Sequence, residues 1–161
     1  MLTQVDPSAP IKTAGASSLG GLKVFGDGAS LADFSRLYDQ GRVTGFTTNP
    51  TLMFKAGITD YADFARQLIT LIPDMPLSFE VFSDAFDEME RQARLIAGWG
   101  DNVYVKIPIT NTRGQSSLPM IKTLAADGVK LNITAMLTLE QVAGAIEVLS
   151  DDVPAILSVF A

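Results

Sequence analysis

The sequence predicts an α/β protein built around a parallel β-sheet. Short apolar runs rich in β-prone residues begin near positions 23, 43, 77, 102, 129 and 154, and segments with helical periodicity separate them. Each interval is about the length of one strand–helix unit, the connection that neighbouring parallel strands need. Two architectures fit this pattern: a doubly wound open sheet and a (β/α) barrel of eight strands.

The predicted elements follow in regular order from residue 22 to residue 161, after an irregular segment over residues 1–21. The strands are predicted at 23–27, 43–46, 77–82, 102–108, 129–134 and 154–160. The helical segments are predicted to begin at residue 30 and to cover 50–71, 83–98, 116–126 and 138–149.

Several residue types mark where the helices begin and end. Ser30 followed by Asp33 resembles a capping box at the start of the first helix. Gly41 stands just after that helix, where a left-handed glycine commonly ends one. The second helical segment is expected to break near Gly57, with Thr59 as the cap of its second piece.

The composition excludes several kinds of chemistry. The 161 residues include no Cys and no His. A thiolate nucleophile, a Ser-His-Asp triad and a metal site made of imidazole or thiolate ligands are therefore excluded. Any catalysis must come from Lys, Asp, Glu, Ser, Thr, Tyr or a cofactor.

The charge and the hydropathy pattern limit the partners. The 12 Lys and Arg against 18 Asp and Glu give a net charge of -6, and the cations are not clustered, so no nucleic-acid partner is expected. The acidic stretch 84–90 is expected to form a solvated helix face. No apolar run approaches the roughly 20 residues of a membrane-spanning helix, and the N-terminus lacks the features of a secretory signal. We therefore expect a cytoplasmic protein without a membrane partner.

Polar residues interrupt the strands near their carboxyl ends. A strand buried on both faces should not contain them unless they are paired or functional. In both architectures the ligand site lies at the carboxyl ends of the strands. These residues should therefore converge there, although single ones could instead point outward into solvent. They are Asp27, Glu80, Lys106 and Asn132 within strands, and Thr48, Asn49, Thr134 and Ser158 near or beyond strand ends.

Lys106 is the most informative of these residues, because it interrupts the apolar run from Val103 to Pro108. A lysine that faces a barrel interior loses hydration, which favours the neutral amine that can attack a carbonyl carbon. The alternative is a structural ion pair with Glu80 or Asp27. We favour Schiff-base chemistry over that alternative.

Three short motifs stand at predicted strand ends: TTNP at 47–50, VKIP at 105–108 and LNIT at 131–134. In these motifs, and in their order and spacing from Lys23 to the last residue, the chain resembles the transaldolase family, which includes the fructose 6-phosphate aldolases. The resemblance implies a (β/α)8 TIM barrel, of which about six strand–helix units are visible. It also implies class I chemistry through a lysine imine, without a metal or an organic cofactor.

The resemblance implies a catalytic role for four residues. Lys106 is similar to the lysine that forms the Schiff base. Asp27 is similar to the acid–base residue that takes a proton from the C4 hydroxyl of the donor sugar. Glu80 and Thr134 resemble the pair that holds the water used to form and break the imine.

The same resemblance implies a substrate-binding set. Asn49 and Asn132 are similar to asparagines that position substrate hydroxyls, and Ser158 matches a serine that contacts the substrate. Thr48, beside Asn49, and Phe160 complete the set. Sugar phosphates are the implied substrates, and we expect a homo-oligomer.

Two positions bear on the reaction. Glu80 and Phe160 resemble transaldolases, where the related aldolases tend to have Gln and Tyr. Because Phe lacks the phenol that could protonate the enamine, the resemblance favours transfer of a dihydroxyacetone unit between sugar phosphates. A fructose 6-phosphate aldolase-like lyase is one alternative, and a non-catalytic sugar-phosphate-binding or vestigial barrel is another.

The sequence also departs from the family's pattern. It ends at Ala161, before the arginine that binds substrate phosphate in the family and before strands seven and eight. A piece of a barrel would expose two sheet edges. We therefore expect the chain to be part of a longer protein, to close with a second copy, or to be a degenerate relative, and we favour the first.

Overall fold

Six strands alternate with helices in the computed structural model, which describes residues 21–160. The strands are β1 (Phe25–Asp27), β2 (Gly45–Thr47), β3 (Leu77–Glu80), β4 (Val103–Pro108), β5 (Leu131–Met136) and β6 (Ala155–Val159). The helices are α1 (Leu31–Asp39), α2 (Pro50–Lys55), α3 (Tyr61–Leu71), α4 (Phe86–Ala97), α5 (Leu118–Ala126) and α6 (Leu139–Val148). The predicted irregular segment 1–21 lies outside the described residues, apart from Gly21. Within residues 21–160, no helix combines the length and apolar character needed to cross a membrane.

The sheet has the strand order of a (β/α) barrel. All neighbouring strands are parallel, and the spatial order β1-β2-β3-β4-β5-β6 is the order along the chain. A doubly wound sheet instead places its first strand in the interior of the sheet, so that alternative is excluded. The strands form a curled half-barrel, which confirms the predicted barrel class. Within the described residues, β1 and β6 each pair on one side only.

The core lies between the convex face of the sheet and the helices. In β4, Val103, Val105 and Ile107 are buried on this face. Tyr104 and Lys106 alternate with them and are half-buried on the concave face. The strand therefore separates an apolar packing surface from the surface where its lysine lies.

Cross-strand register brings polar residues together on the concave face. Glu80, Lys106 and Asn132 are register partners across β3, β4 and β5. Asp27 is the partner of Thr47 across β1 and β2. Neighbouring strands therefore place these residues side by side, although they are about 20 or more positions apart in the sequence.

Local signals place three helix boundaries as predicted. The Asp33 N–H donates to Ser30 Oγ at 3.3 Å and so caps α1. Gly41 follows that helix with a φ of 62°. Gly57, with a φ of 71°, stands at the predicted break between α2 and α3. Glycine adopts this left-handed conformation without the steric cost that other residues meet.

Two predicted helix starts are wrong. Asp60, not Thr59, caps α3, because its Oδ1 accepts the Asp63 N–H at 2.8 Å. A carboxylate there also interacts favourably with the helix dipole. Helix α4 begins after Ala85 rather than at residue 83, since Ser83 Oγ accepts the Ala85 N–H at 3.1 Å and holds a turn outside the helix.

Strand β5 begins later than the predicted residue 129. The Val129 N–H donates to the Leu124 carbonyl at 3.0 Å, and the Gly128 N–H donates to the Ala125 carbonyl at 3.1 Å. With Gly128 at a φ of 82°, these bonds form a Schellman motif that ends α5. Val129 therefore belongs to the helix exit, although its apolar side chain suited a strand.

Candidate active site

Lys106 lies on the concave face near the carboxyl end of β4. Its Nζ donates a hydrogen bond to the Thr48 carbonyl at 3.0 Å and lies 3.4 Å from Glu80 Oε2. The two side chains of this ion pair are only 12% and 22% exposed, so little solvent screens it. The ion pair considered as an alternative to Schiff-base chemistry is thus present, and it also places a proton acceptor beside the amine.

Glu80 is in an environment that disfavours its charge. Burial raises the pKa of Glu80, because desolvation penalises the carboxylate. Lys106 opposes this rise in pKa through its charge and its hydrogen bond, and Asp27 adds to the rise by repulsion. Because the pKa is raised, Glu80 is a stronger base than an exposed glutamate. It is suited to accept a proton from Lys106 or from a water molecule.

Tyr61 on α3 is a contact of Glu80 that sequence reasoning missed. The Glu80 N–H donates to the Tyr61 hydroxyl at 2.9 Å. The ring packs edge-on against Phe79, Phe82 and Trp99. Burial raises the pKa of Tyr61, so the phenol stays protonated. The contact fixes the backbone of Glu80 at the end of β3.

Asp27 ends β1 at the open edge of the sheet, and its side chain is exposed. Its Oδ1 accepts a hydrogen bond from Thr47 Oγ1 at 2.6 Å. Thr47 was missed as a site residue although it begins the TTNP motif. The pairing depends on the register of β1 with β2, which composition and motif spacing do not specify.

Asn132 is held at both ends of its amide. Its Nδ2 donates to Ser78 Oγ at 3.0 Å, and its Oδ1 accepts from Ser158 Oγ at 2.8 Å. Ser78 was also missed, but a signal for it exists. It lies two residues before Glu80 in β3, so the two side chains are on the same, concave face of the sheet.

The contacts of Thr48 and Asn49 involve atoms that the sequence alone does not identify. The Thr48 side chain is 1% exposed and its Oγ1 has no hydrogen-bond partner among the described residues. Its backbone carbonyl is the group that contacts Lys106. Asn49 Oδ1 accepts the Leu52 N–H at 2.9 Å and caps α2. The Asn49 amide nitrogen and the second lone pair of Oδ1 can still bind a ligand hydroxyl.

An irregularity in β5 shapes the area around Thr134. The register against β6 shifts between Ile133 and Met136, and Ala135 has a φ of 59°. This left-handed conformation is strained for a residue with a Cβ. Because the irregularity breaks the strict alternation of the strand, Thr134 and Ala135 both line the same cleft.

That cleft, with a volume of about 480 Å³, opens at the carboxyl ends of the strands. Its lining includes five predicted site residues, Asn49, Glu80, Lys106, Thr134 and Phe160. Asp27, Thr48, Asn132 and Ser158 are outside this lining. A larger cavity of about 690 Å³ lies outside the barrel between α1 and α3, and no predicted site residue lines it. Within residues 21–160, no group of three or more acidic side chains is placed to hold a metal ion.

The fold places this chain among the (β/α) barrels. A solved structure titled "QR15, an Aldolase" superposes with a TM-score of 0.57 over 89% of this chain and 71% of the other, at 13% identity. At that identity the likeness concerns the fold alone. Residues 24–161 match the family described as Transaldolase/Fructose-6-phosphate aldolase. The chain belongs to this family, as its three sequence motifs predicted.

Curated relatives support the same assignment. A "Probable transaldolase" of Dehalococcoides mccartyi is 38% identical over 120 residues, which cover 74% of this chain and 54% of the relative. "Probable transaldolase 2" of Listeria monocytogenes is 37% identical over 120 residues, covering 74% and 52%. A "Probable transaldolase" of Thermoplasma acidophilum is 37% identical over 115 residues, covering 70% and 49%. The chain thus spans about half the length of these relatives.

Proposed function

We propose that this chain transfers a dihydroxyacetone unit from a ketose phosphate to an aldose phosphate through an imine on Lys106. The observation that carries the proposal is the position of the Lys106 amine. It is half-buried at the carboxyl ends of the strands, beside Glu80, which has a raised pKa, and beneath a cleft large enough for a sugar. A lysine so placed is suited to attack a carbonyl carbon.

Imine formation needs the amine to lose a proton before it attacks. Glu80 lies 3.4 Å from Nζ and accepts that proton. The nitrogen lone pair then attacks C2 of the ketose, and the proton that the attacking nitrogen loses passes to the C2 oxygen to give a carbinolamine. The protonated Glu80 returns its proton as the hydroxyl leaves as water. Thr134, on the wall of the same cleft, holds that water with Glu80.

Cleavage requires a base at the C4 hydroxyl. Asp27 takes that proton, the C3–C4 bond breaks, and its electron pair moves to the iminium to form an enamine. The aldehyde made from C4 onward leaves. Thr47 holds the Asp27 carboxylate in place through a hydrogen bond of 2.6 Å. Addition of the enamine to an acceptor aldehyde reverses these steps, and hydrolysis of the imine frees Lys106.

Hydroxyl recognition is assigned to the amide network. Asn132 lies in register with Lys106, and Ser78 and Ser158 fix its amide. A network with a defined donor and acceptor orients a hydroxyl better than a mobile side chain does. The Asn49 amide nitrogen adds a donor in the lining of the cleft.

Phe160 favours transfer over simple cleavage. It lines the cleft with its side chain 55% exposed and has no acidic hydrogen to give the enamine. A lyase must protonate the enamine to release dihydroxyacetone, whereas a transferase must keep it until an aldehyde arrives. One observation, the ion pair of Lys106 with Glu80, favours the competing non-catalytic function. If Lys106 only stabilised the barrel, this ion pair would be enough to explain its presence.

The test is turnover of fructose 6-phosphate with and without an aldose phosphate acceptor. A transferase forms a new ketose phosphate with the acceptor and releases little free dihydroxyacetone without it. A lyase releases free dihydroxyacetone and glyceraldehyde 3-phosphate in equal amounts in either case. The control is Lys106→Arg, which keeps a cation beside Glu80 but cannot form the imine. Equal turnover by wild type and Lys106→Arg would overturn the proposal.

A further inference from the structure

The hydrogen-bond ladder between β2 and β3 stops one bond early. The Phe46 N–H donates to the Pro76 carbonyl at 2.9 Å, and the Thr48 N–H donates to the Ser78 carbonyl at 3.1 Å. In a parallel pair, the carbonyl of each such residue also accepts an N–H two positions further along the partner strand. The next bond would therefore join the Glu80 N–H to the Thr48 carbonyl. Because β2 and β3 are both interior strands, the gap is not an effect of a sheet edge.

Both groups of that missing bond have other partners. The Glu80 N–H donates to the Tyr61 hydroxyl at 2.9 Å. The Thr48 carbonyl accepts a hydrogen bond from Lys106 Nζ at 3.0 Å, and Glu80 Oε2 lies 3.4 Å from the same nitrogen. The Tyr61 hydroxyl thus takes the place of a ladder carbonyl, and that carbonyl contacts the lysine instead.

Aromatic neighbours fix the position of the Tyr61 ring. Its centroid lies 5.9 Å from that of Phe79, 4.8 Å from that of Phe82 and 5.4 Å from that of Trp99, with all three rings edge-on. Burial raises the pKa of Tyr61, so the hydroxyl stays neutral. It can therefore accept the N–H of Glu80 without placing a second negative charge near that carboxylate.

Side chains rather than β2 also hold the chain that follows β3. Gln92 Oε1 accepts the N–H groups of Phe82 and Ser83 at 2.7 and 3.1 Å. Asp84 accepts the Thr112 N–H at 2.7 Å. Asp84 precedes α4 and joins two loops, so it is not part of the solvated helix face that the acidic stretch was expected to form. The end of β3 is thus held in place without a further bond to β2.

We propose that Tyr61 is a positioning residue for Lys106. Its hydroxyl accepts the Glu80 N–H and thereby keeps the Thr48 carbonyl available to the amine. Without that hydroxyl the N–H would lack a partner, which is costly for a partly buried backbone donor. It would then complete the ladder to the Thr48 carbonyl, and Lys106 would lose one of the two groups that orient it. The consequence for catalysis rests on the proposed function.

The test compares wild type, Tyr61→Phe and Tyr38→Phe. Tyr38→Phe is the matched control, because it also removes a hydroxyl hydrogen bond of 2.9 Å, outside the cleft. Couplings across hydrogen bonds, measured by NMR, identify the acceptors directly. In wild type and Tyr38→Phe, the Lys106 amino nitrogen should couple to the Thr48 carbonyl carbon, and the Glu80 nitrogen should not. In Tyr61→Phe, the Glu80 nitrogen should show that coupling and Lys106 should lose it.

Turnover of fructose 6-phosphate with an aldose phosphate acceptor measures the consequence. Tyr61→Phe should lower kcat about tenfold and leave KM nearly unchanged, because the attacking amine is less well oriented. A purely structural role would lower the melting temperature without this change in the kcat of the folded protein. Tyr38→Phe should leave kcat and KM as they are in wild type.

The NMR and kinetic results have separate consequences. A coupling between Glu80 and Thr48 in wild type, or its absence in Tyr61→Phe, would overturn the positioning role. An unchanged kcat in Tyr61→Phe, where wild type is active, would overturn it as well. If wild type shows no turnover, the proposed function fails, and the couplings alone decide whether Tyr61 positions Lys106.

Discussion

Lys106 and Glu80 interact strongly, because Nζ and Oε2 lie 3.4 Å apart and both side chains are largely shielded from solvent. The sequence predicted both from one argument, that a charged side chain inside an apolar strand must be paired or functional. Tyr61 could not be predicted in this way. Its contact with Glu80 depends on how α3 packs against β3, which no local pattern encodes.

The raised pKa of Glu80 predicts a pH dependence of stability. The unfolded chain ionises Glu80 at its ordinary pKa, whereas the folded chain keeps the proton to a higher pH. Between these two values the folded state binds more protons, so a rise in pH lowers the stability of the wild type. In Glu80→Gln this contribution is absent. Melting temperatures of both proteins should therefore diverge in favour of Glu80→Gln as the pH rises from the ordinary glutamate range.

The acidic end of the window provides the check on that prediction. Below both pKa values Glu80 is protonated in the folded and in the unfolded chain, so the melting temperatures of wild type and Glu80→Gln should differ by a constant amount there. A difference that does not change across the window would show that burial does not govern the ionisation of Glu80. Glu140→Gln, at an exposed position in α6, is the control. Its melting temperature should differ from that of the wild type by the same amount across this pH range.

At the scale of elements, apolar runs located all six strands, and end signals located several helix boundaries. The errors have a common cause. Val129 and Thr59 have side chains that suit the predicted element, but backbone hydrogen bonds of the preceding or following turn decided the boundary. Gly128 ends α5 with a φ of 82°, but hydropathy cannot distinguish the next residue, Val129, from a strand residue.

Strands β1 and β2 approach so closely that Gly45 has no room for a side chain. A Cβ there would contact the Phe25 ring and lie 2.9 Å from the Pro76 carbonyl oxygen. Gly45→Ala should therefore destabilise the protein by roughly 1–3 kcal/mol, the usual cost of overpacking. Denaturant unfolding measures the change. Gly98→Ala is the control, since its Cβ would have no neighbour nearer than 3.5 Å and its φ is -76°, and equal losses for the two variants would contradict the packing argument.

At the scale of the whole molecule, sequential parallel pairing explains why one site draws on residues in or just after all six strands. The three motifs lie at the ends of β2, β4 and β5, and they identified the family and most candidate residues before any contact was known. The contacts that the motif residues make could not be predicted from the motifs. The Thr48 carbonyl at Lys106 and the Ser78 hydroxyl at Asn132 depend on register and on backbone atoms, which a motif does not name.

The central claim is that Lys106 forms a covalent imine with a ketose, and its most direct test is borohydride trapping followed by peptide mapping. The protein is incubated with fructose 6-phosphate, reduced, weighed intact and digested. The account predicts one added carbohydrate fragment, located on the peptide that contains Lys106 and absent from Lys106→Arg. An unmodified mass, or an adduct that persists on other lysines in Lys106→Arg, would contradict it.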